Sequence, residues 1–378
     1  MTGVRAASAA TSGRSSATSD DRPIRVLLVD DSAVVRAVLS HIIASEPGFE
    51  VVGEAATADR ALDLLPALLV DIVLLDVEMP GTDGLTALPE IMRQGRGARV
   101  LIVSSFCDDG AAMTVQALAL GAADTLPKPG STGMNNSFST LLISKLQAIG
   151  RARRDADDAA PAPRDTRMDE AILRPMSTKP LQCLAIGAST GGLHALGRLF
   201  AVMPPRIGVP ILVTQHLPAV FMPYFARQLA TVSGRVTEVA AEGAAIAEDR
   251  ILVAPGDAHL QLKPGSRGPR IALDHSGPMG GCLPSVDPMF ASVADEYGPS
   301  AYGIVLTGMG RDGLVGSACM VKAGGSVLVQ DPASSAVWGM PRSVAEAGYA
   351  SAILDPEAIA QCIATRVAPS LSGAATWK

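Results

Sequence analysis

Short apolar runs that alternate with helical stretches constrain the fold of this chain more than any other feature. The first part of the chain contains five strand-like runs, Ile24–Val29, Glu50–Ala55, Asp71–Asp76, Arg99–Ser104 and Ala123–Leu126. The helical stretches between them are Val34–Ile43, Ala58–Leu68, Leu85–Met92 and Ala111–Leu120. This alternation predicts an α/β fold, in which helices cover both faces of a parallel five-stranded sheet. Such sheets bind ligands at the carboxyl ends of their strands.

A second unit with the same alternation begins at Leu181 and continues to the C-terminus. Its candidate strands are Cys183–Gly187, Pro210–Thr214, Arg250–Ala254, Gly303–Leu306 and Ser326–Gln330. Its candidate helices are Gly192–Val202, Met222–Val232 and Gly313–Ala323. Between the units the sequence becomes charged and then rich in Ala, Pro and Arg, which predicts a solvated linker. The expected organisation is a disordered tail over 1–22, a domain over 23–148, a linker over 149–180 and a second domain over 181–378.

The composition of the 378 residues argues against several classes of protein. A net charge of −6 is unlike that of a nucleic-acid-binding surface. No apolar run approaches the roughly 20 residues that span a bilayer, and residues 1–22 lack the apolar segment of a secretory signal. The five cysteines are scattered without a CxxC pair, which suits reduced thiols and neither disulfides nor a zinc site. We therefore expect a cytoplasmic protein without membrane insertion.

Charged and hydroxyl side chains follow the strands of the first domain. Asp30 and Asp31 end the first strand, Asp76 the third and Ser104 the fourth, and Lys128 follows the fifth. Converging carboxylates at one sheet edge suit Mg²⁺, a hard cation that prefers oxygen ligands. Asp76 can then attack a phosphoryl group, while Lys128 and Ser104 offset charge on the transferred oxygens. Each residue alone has a simpler interpretation, because Asp pairs often cap helices and a lone Lys is usually solvated.

A glycine-rich turn after the first strand of the second domain carries a candidate nucleophile. In the segment Gly187-Ala-Ser-Thr-Gly-Gly192, Ser189 has the nucleophile-elbow spacing Gly-x-Ser-x-Gly. The glycines allow a sharp turn, so that the serine can project from the strand end. On this motif alone two other interpretations remain open. The turn could cradle a nucleotide phosphate, although it lacks the Lys of a P-loop, or Ser189 could only cap the turn.

A nucleophilic serine needs a base, and the chain has five histidines. His216 follows the second strand of this domain, so it would lie at the same sheet edge as Ser189. His194, in the helix after Ser189, is the alternative base, whereas His259 lies in turn-like sequence. Asp312 follows a further strand and could orient His216, unless it only caps the next helix. The chain order Ser, His, Asp differs from that of α/β-hydrolases, so the motif does not assign that fold.

The first domain resembles the receiver domains of response regulators over about residues 23–148. The resemblance rests on three segments, Leu28-Val-Asp-Asp-Ser32, Leu75–Gly84 and Lys128-Pro129. It implies a flavodoxin-like fold in which a histidine kinase phosphorylates Asp76, with Ser104 and Lys128 as switch residues. The implied Mg²⁺ ligands are Asp30, Asp31, Asp76 and the backbone carbonyl of Glu78.

The second domain resembles the catalytic domain of chemotaxis protein-glutamate methylesterases over essentially all of residues 181–350. The matching segments are Ile186–Gly192, Gln215–Pro218, Val253–Asp257, Pro284–Asp287, Leu306–Gly313, Gln330-Asp331 and Gly339–Arg342. A receiver followed by this domain is that family's arrangement. The resemblance implies a doubly wound α/β domain, with Ser189 as nucleophile, His216 as base and Asp312 as its orienting partner. The implied oxyanion donors are the backbone N–H groups of Thr190 and Met309.

The activity implied by the resemblance is hydrolysis of glutamate methyl esters on methyl-accepting chemotaxis receptors, with deamidation of receptor glutamines. A chemotaxis histidine kinase would supply the phosphoryl group with Mg²⁺ bound to the receiver, and no cofactor is expected for the esterase. Leu283 stands before Pro284, where the family often has Arg, so no contact to a substrate carboxylate is predicted there. Ser285 is the next candidate nucleophile after Ser189. Two other classes remain open, a receiver joined to a non-catalytic docking module and a nucleotide-binding output domain.

Overall fold

The computed structural model describes residues 22–104, 108–128, 136–158, 173–266 and 268–367, which form two α/β domains. Strands and helices alternate throughout the first domain. Its strands are β1 (Ile24–Val29), β2 (Phe49–Ala55), β3 (Ile72–Asp76), β4 (Arg99–Ser104) and β5 (Asp124–Pro127). Its helices are α1 (Ala33–Ala44), α2 (Ala58–Leu64), α3 (Gly84–Gln94), α4 (Asp108–Ala119) and α5 (Asn136–Asp158).

The sheet of the first domain is parallel, with strand order β2-β1-β3-β4-β5. This is the flavodoxin-like order, and it confirms the predicted fold class. β3 is buried along its whole length because helices cover both faces of the sheet. At the start of α1 the capping side chain is that of Ser32, which accepts a hydrogen bond from Val35 N. The neighbouring pair Asp30 and Asp31 is therefore not the helix cap.

The predicted linker over 149–180 differs from the structure at both of its ends. Helix α5 continues to Asp158, because Ile149 is still buried in the first domain and Arg153 Nη2 donates to Arg96 O (3.0 Å). At the other end, Ser177 N donates to Ser326 Oγ (2.8 Å) in the second domain. Residues 159–172, the middle of the predicted linker, and the predicted tail over 1–21 lie outside the described residues.

The second domain contains a larger sheet and a separate hairpin. Its strands are β6 (Cys183–Ala188), β7 (Ile211–Gln215), β8 (Thr237–Val239), β9 (Ile251–Val253), β10 (His259–Lys263), β11 (Arg270–Asp274), β12 (Ala301–Val305), β13 (Ser326–Gln330) and β14 (Ala352–Leu354). Its helices are α6 (Gly192–Val202), α7 (Met222–Ser233), α8 (Val286–Tyr297), α9 (Leu314–Lys322), α10 (Met340–Glu346) and α11 (Pro356–Ala364). The large sheet is parallel, with order β14-β13-β12-β6-β7-β9-β8, and β10 and β11 form an antiparallel pair.

The order of the large sheet determines where a site can form. From β6, the next strand along the chain, β7, pairs on one side, and β12 pairs on the other. A parallel sheet opens a crevice at the carboxyl ends of its strands where the strand order reverses in this way. The site is therefore expected where β6, β7 and β12 end. This doubly wound arrangement confirms the predicted architecture.

The two domains pack against each other through α4 of the first domain, which contacts α6 and α7 of the second. Buried residues of both domains belong to one continuous apolar cluster, for example Leu118 on α4 and Leu193 on α6. In the described ranges no helix combines the length and the apolar character needed to cross a membrane.

Candidate active site and phosphorylation site

Three carboxylates of the first domain meet at the carboxyl ends of β1 and β3. One oxygen each from Asp30, Asp31 and Asp76 lies within 4.8 Å of the others, and Asp30 and Asp76 are buried while Asp31 is exposed. Lys128 Nζ donates to Asp76 Oδ2 (2.6 Å), and Glu78 N donates to Asp76 Oδ1 (3.0 Å). Burial raises the pKa of Asp76 to about 6, against the opposing effect of the Lys128 hydrogen bond.

This acidic cluster has the donor set that a hard divalent cation requires. Among the residues that the structure describes, none donates a hydrogen bond to the buried Asp30 Oδ2, whose ion pair with Lys128 Nζ is 3.4 Å long. A buried carboxylate oxygen without a hydrogen bond is costly unless a cation completes its surroundings. The residues present therefore fit Mg²⁺, whereas the metal contact of the Glu78 carbonyl stays a prediction.

The predicted switch residue Ser104 is buried at the end of β4. Its hydroxyl oxygen accepts a hydrogen bond from Thr114 Oγ1 on α4 (2.7 Å). Ser104, on the strand beside β3, is thereby joined through one side-chain contact to the helix that packs against the second domain.

Ser189 and His216 directly follow β6 and β7, and Asp312 lies in the loop between β12 and α9, at the same edge of the large sheet. His216 N donates to Ala188 O (3.1 Å), which holds the residue after β7 beside the residue before Ser189. The His216 imidazole bonds to Asp312, with Nε2 and Oδ2 separated by 2.7 Å. The structure thus brings together the three residues that were predicted as a triad.

Asp312 is held by more donors than His216 alone. Its carboxylate accepts hydrogen bonds from Ser285 Oγ (2.7 Å), Val286 N (2.7 Å) and Gly313 N (3.0 Å). The next helix, α9, has Gly313 as its N-cap and no side-chain cap, so the interpretation of Asp312 as a cap of that helix is wrong. Asp312 instead binds the N-terminus of α8, where the helix dipole favours a carboxylate.

Ser285, the alternative nucleophile named from the sequence, supports Asp312 in the structure. It is fully buried, and its hydroxyl donates to Asp312. Its N–H donates to Nδ1 of His259 (2.9 Å), whose Nε2 lies 2.8 Å from Gly277 O. His259 begins β10, so its assignment to turn-like sequence is wrong. Sequence reasoning missed this support of Asp312 because the contacts of Ser285 and His259 depend on tertiary packing.

The imidazole of His216 has a second neighbour that the sequence did not single out, the thiol of Cys282. Burial lowers the pKa of His216, but the hydrogen bond with Asp312 and the contact with Cys282 outweigh it and raise the pKa to about 9. The pKa of Asp312 is lowered, because its bonds to His216 and to α8 outweigh burial. Since donors already occupy the Asp312 oxygens, we assign no metal to this group of three side chains.

The hydrogen bonds among the described residues include none between the Ser189 hydroxyl and His216. Catalytic hydrogen bonds are often unformed in the absence of substrate. A rotation of the serine side chain or of the imidazole must therefore precede proton transfer. The alternative base, His194, lies on the exposed side of α6 with Nδ1 3.5 Å from Ala119 O, at the contact between the two domains.

The two predicted oxyanion donors flank the serine. Within the described part of the chain, neither Thr190 N nor Met309 N donates a hydrogen bond, so both are available to a ligand. A Cβ atom at Gly308 would lie 2.7 Å from Ser189 Cβ, so glycine is needed for the Met309 loop to approach the serine. Two donors on opposite sides of one serine can stabilise the oxyanion of an acyl-transfer reaction.

The first domain covers this site in the structure. Thr190 Oγ1 donates to Asp124 Oδ2 (2.5 Å), and Gly191 N donates to Ala123 O (2.6 Å). Met309 packs against an apolar cluster that contains residues of the first domain together with Val337 of the second. Between the domains Ser189 lines a cavity of about 10 Å³. Room for about one water molecule excludes a glutamyl side chain from this space.

Comparisons with known proteins identify the family of each domain. The family model for the response regulator receiver domain matches residues 26–134, and that for CheB methylesterase matches residues 184–363. A protein-glutamate methylesterase/protein-glutamine glutaminase 1 of Paramagnetospirillum magneticum is 39% identical over 362 residues, which cover 90% of this chain and 95% of that protein. The chain belongs to the CheB methylesterase family.

Two further matches extend the comparison with the CheB family. A protein-glutamate methylesterase/protein-glutamine glutaminase 2 of Caulobacter vibrioides is 40% identical over 350 residues, covering 91% of this chain and 99% of that protein. The crystal structure of the Thermotoga maritima CheB methylesterase catalytic domain aligns with 49% of this chain and 98% of its own, with 32% identity and a TM-score of 0.48.

Proposed function

We propose that this chain is a cytoplasmic, phosphorylation-activated serine hydrolase that removes methyl groups from glutamate methyl esters of chemotaxis receptors. The observation that carries the proposal is the bond of 2.7 Å between His216 and Asp312 at the sheet edge that also holds Ser189. The curated relatives are named as methylesterases and glutaminases, which supports the ester substrate and the deamidation of receptor glutamines by the same site.

The reaction follows from the roles of the triad. The Ser189 hydroxyl attacks the ester carbonyl carbon while His216 takes its proton, and Asp312 stabilises the imidazolium that forms. The N–H groups of Thr190 and Met309 donate to the oxyanion of the tetrahedral intermediate. The proton returns to the methoxy oxygen as methanol leaves, and an acyl-enzyme remains. Water then attacks the acyl-enzyme with His216 again as base, which releases the glutamate.

Phosphorylation would occur on Asp76, with a chemotaxis histidine kinase as the source of the phosphoryl group. Asp30, Asp31 and Asp76 would hold Mg²⁺, which when bound offsets charge on the phosphoryl oxygens. Lys128, already paired with Asp76, would contribute a second positive charge. The Ser104 hydroxyl would donate a hydrogen bond to a phosphoryl oxygen.

The receiver domain would control the hydrolase by covering the site around Ser189. In the unphosphorylated chain the receiver domain lies against the nucleophile turn, through the Asp124–Thr190 bond and the hydrogen bond from Gly191 N to Ala123 O. If Ser104 moves toward a phosphoryl group, its bond with Thr114 on α4 changes, and α4 packs directly on α6 and α7. Interfaces between domains of one chain are usually modest, so a small change of this kind can shift the balance toward an open form.

The hydrolase is tested by incubating the phosphodonor-treated chain with receptor membranes that carry labelled methyl esters. Wild type should release methanol, and Ser189→Ala should lower the rate at least about 10⁴-fold, as expected for loss of a nucleophile. Ser285→Ala serves as the control, because its hydroxyl only supports Asp312 and the loss should be far smaller. If Ser189→Ala keeps a substantial rate while Ser285→Ala loses it, the nucleophile is Ser285.

A further inference from the structure

Gln215, the last residue of β7, reaches the nucleophile turn with its side chain. It is 4% exposed, and its Nε2 donates to Ser189 O (2.8 Å). The same carbonyl accepts a second hydrogen bond from Gly192 N (2.8 Å). The carbonyl of the candidate nucleophile is therefore fixed from two directions, once by the backbone and once by the Gln215 amide.

The direction of this carbonyl decides the direction of an oxyanion donor. Ser189 C=O and Thr190 N–H belong to one trans peptide unit, in which the two bonds point in opposite directions. When Gln215 and Gly192 hold Ser189 O on one side, Thr190 N–H must point to the other. An oxyanion hole depends on donors that are already oriented before reaction. A group that holds Ser189 O therefore acts on the reaction without touching the substrate.

The second oxyanion donor is oriented in the same manner but by other means. Gly308 O, in the peptide unit of Met309 N–H, accepts hydrogen bonds from Gly339 N (3.1 Å) and Met340 N (2.8 Å). Both donors are backbone groups at the start of α10. Of the two oxyanion peptides, that of Thr190 is the one oriented by a side chain, so a single substitution can disturb it.

The Gln215 amide occupies space that a side chain at residue 192 would need. A Cβ atom at Gly192 would lie 2.2 Å from Gln215 Oε1, so any larger residue at 192 would displace the amide. Oε1 itself is buried, and no described residue donates a hydrogen bond to it. A buried carbonyl oxygen without a partner costs stability, which indicates that the amide is kept here for its Nε2 donation and not for stability.

We infer that Gln215 is a positioning residue of the hydrolase, which aims Thr190 N–H at the oxyanion by holding Ser189 O. The inference rests on the proposed function and adds to it a residue outside the triad. Because the contact acts on the transition state, its loss should lower kcat and leave KM nearly unchanged. If the side chain only supported the fold, its substitution would lower the melting temperature and would not selectively lower kcat.

The test measures methanol release from labelled receptor membranes by the full-length, phosphodonor-treated Gln215→Met variant. Methionine has a similar size and lacks the amide donor. We expect kcat to fall about 10- to 100-fold, less than for removal of a donor itself, with KM within about threefold of wild type. Gln261→Met is the matched control, since Gln261 lies on β10 with its Nε2 bonded to Asp274 (3.3 Å), and it should keep wild-type kcat. A kcat of Gln215→Met within twofold of wild type would overturn the inference.

Gly192→Ala provides a second disturbance of the same amide. It should also lower kcat, and in the Gln215→Ala background, which removes the nearest contact of the new Cβ and leaves the one with Ala188 Cβ (2.8 Å), the further loss should be smaller than in wild type. Additive losses would overturn the inference, as would a Gly192→Ala variant with wild-type kcat. If Gln215→Met does not fold, Gln215→Glu replaces it, because it keeps the shape without the N–H donor. Ser189→Ala in the same assay separates the outcomes, since its activity tests the proposed function alone.

Discussion

Both domains place a site at the carboxyl edge of a parallel sheet, the acidic cluster in the receiver and the proposed triad in the catalytic domain. The two sites are built differently. In the receiver, Asp76 and Lys128 follow strands and contact each other directly. In the catalytic domain, His216 depends on Asp312, which in turn depends on Ser285 and the N-terminus of α8. The receiver site thus follows from strand ends alone, whereas the catalytic site also needs supporting residues from loops.

This difference predicts that the largest losses come from the catalytic base. Replacing His216 with Ala should lower methanol release by about 10⁴-fold or more, because no neighbouring group can take the serine proton. Asp312→Asn should hurt less, since the base remains and only its orientation and charge are lost. Steady-state rates on labelled receptor membranes test both variants. The order of the two losses should reverse if Asp312 has a direct part in proton transfer.

The alternative base provides the control for that comparison. His194→Gln should leave the phosphodonor-stimulated rate near that of wild type, because the residue lies at Ala119 of the receiver. From the sequence alone we would expect this change to disturb the packing of α6, but the exposed position of His194 favours an effect on the domain contact. A loss of stimulated activity larger than that of His216→Ala would contradict the assignment of the base.

Weakening the contact between the domains should change the rate of methanol release by a smaller factor, and it should raise the rate. Asp124→Asn weakens the bonds to Thr190 and Lys145, so the basal rate without phosphodonor should rise several-fold. Asp63→Asn, an exposed change on α2, is the matched control and should leave the basal rate unchanged. Methanol release measured before phosphorylation distinguishes them. An unchanged basal rate for Asp124→Asn would show that this bond does not keep the site closed.

The smallest effect is the displacement of the pH profile on removal of the Cys282 thiol. A base must be neutral to accept a proton, and the pKa of His216 lies at about 9, so kcat/KM should rise as the pH increases from 7 toward 9. Cys282→Ala removes one of the contacts that raise this pKa, so the rise should move to lower pH. Cys319→Ala, a free thiol on α9, should leave the profile in place. Identical profiles for all three proteins would mean that Cys282 does not act on His216.

Strand ends explain how much the sequence could predict. Ser189 and His216 directly follow β6 and β7, Asp312 lies in the loop after β12, and the apolar runs of those strands are long enough to be recognised within one to three residues. Pairing of the strands then places the residues together without further information. The same reasoning locates Asp30, Asp76 and Lys128.

Other parts of the molecule carry no comparable signal. β8 and β14 are three-residue edge strands that are only partly buried, so no apolar run marks them. In β10 the alternation of His259, Gln261 and Lys263 with leucines resembles polar turn sequence until its pairing with β11 is known. Cys282 and Ser285 reach the triad from the loop after this hairpin, and their contacts depend on tertiary packing. For the same reason, the extension of α5 beyond the predicted domain boundary could not be foreseen from the charged sequence that follows Gly150.

One measurement tests most directly whether the receiver site controls the hydrolase. Methanol release is measured with and without a small-molecule phosphodonor, for wild type and for Asp76→Asn. Asp76 is buried beside Lys128, and asparagine keeps its size while it cannot be phosphorylated. The account predicts that the phosphodonor accelerates the wild type and leaves Asp76→Asn at its basal rate. Equal acceleration of both proteins would contradict it.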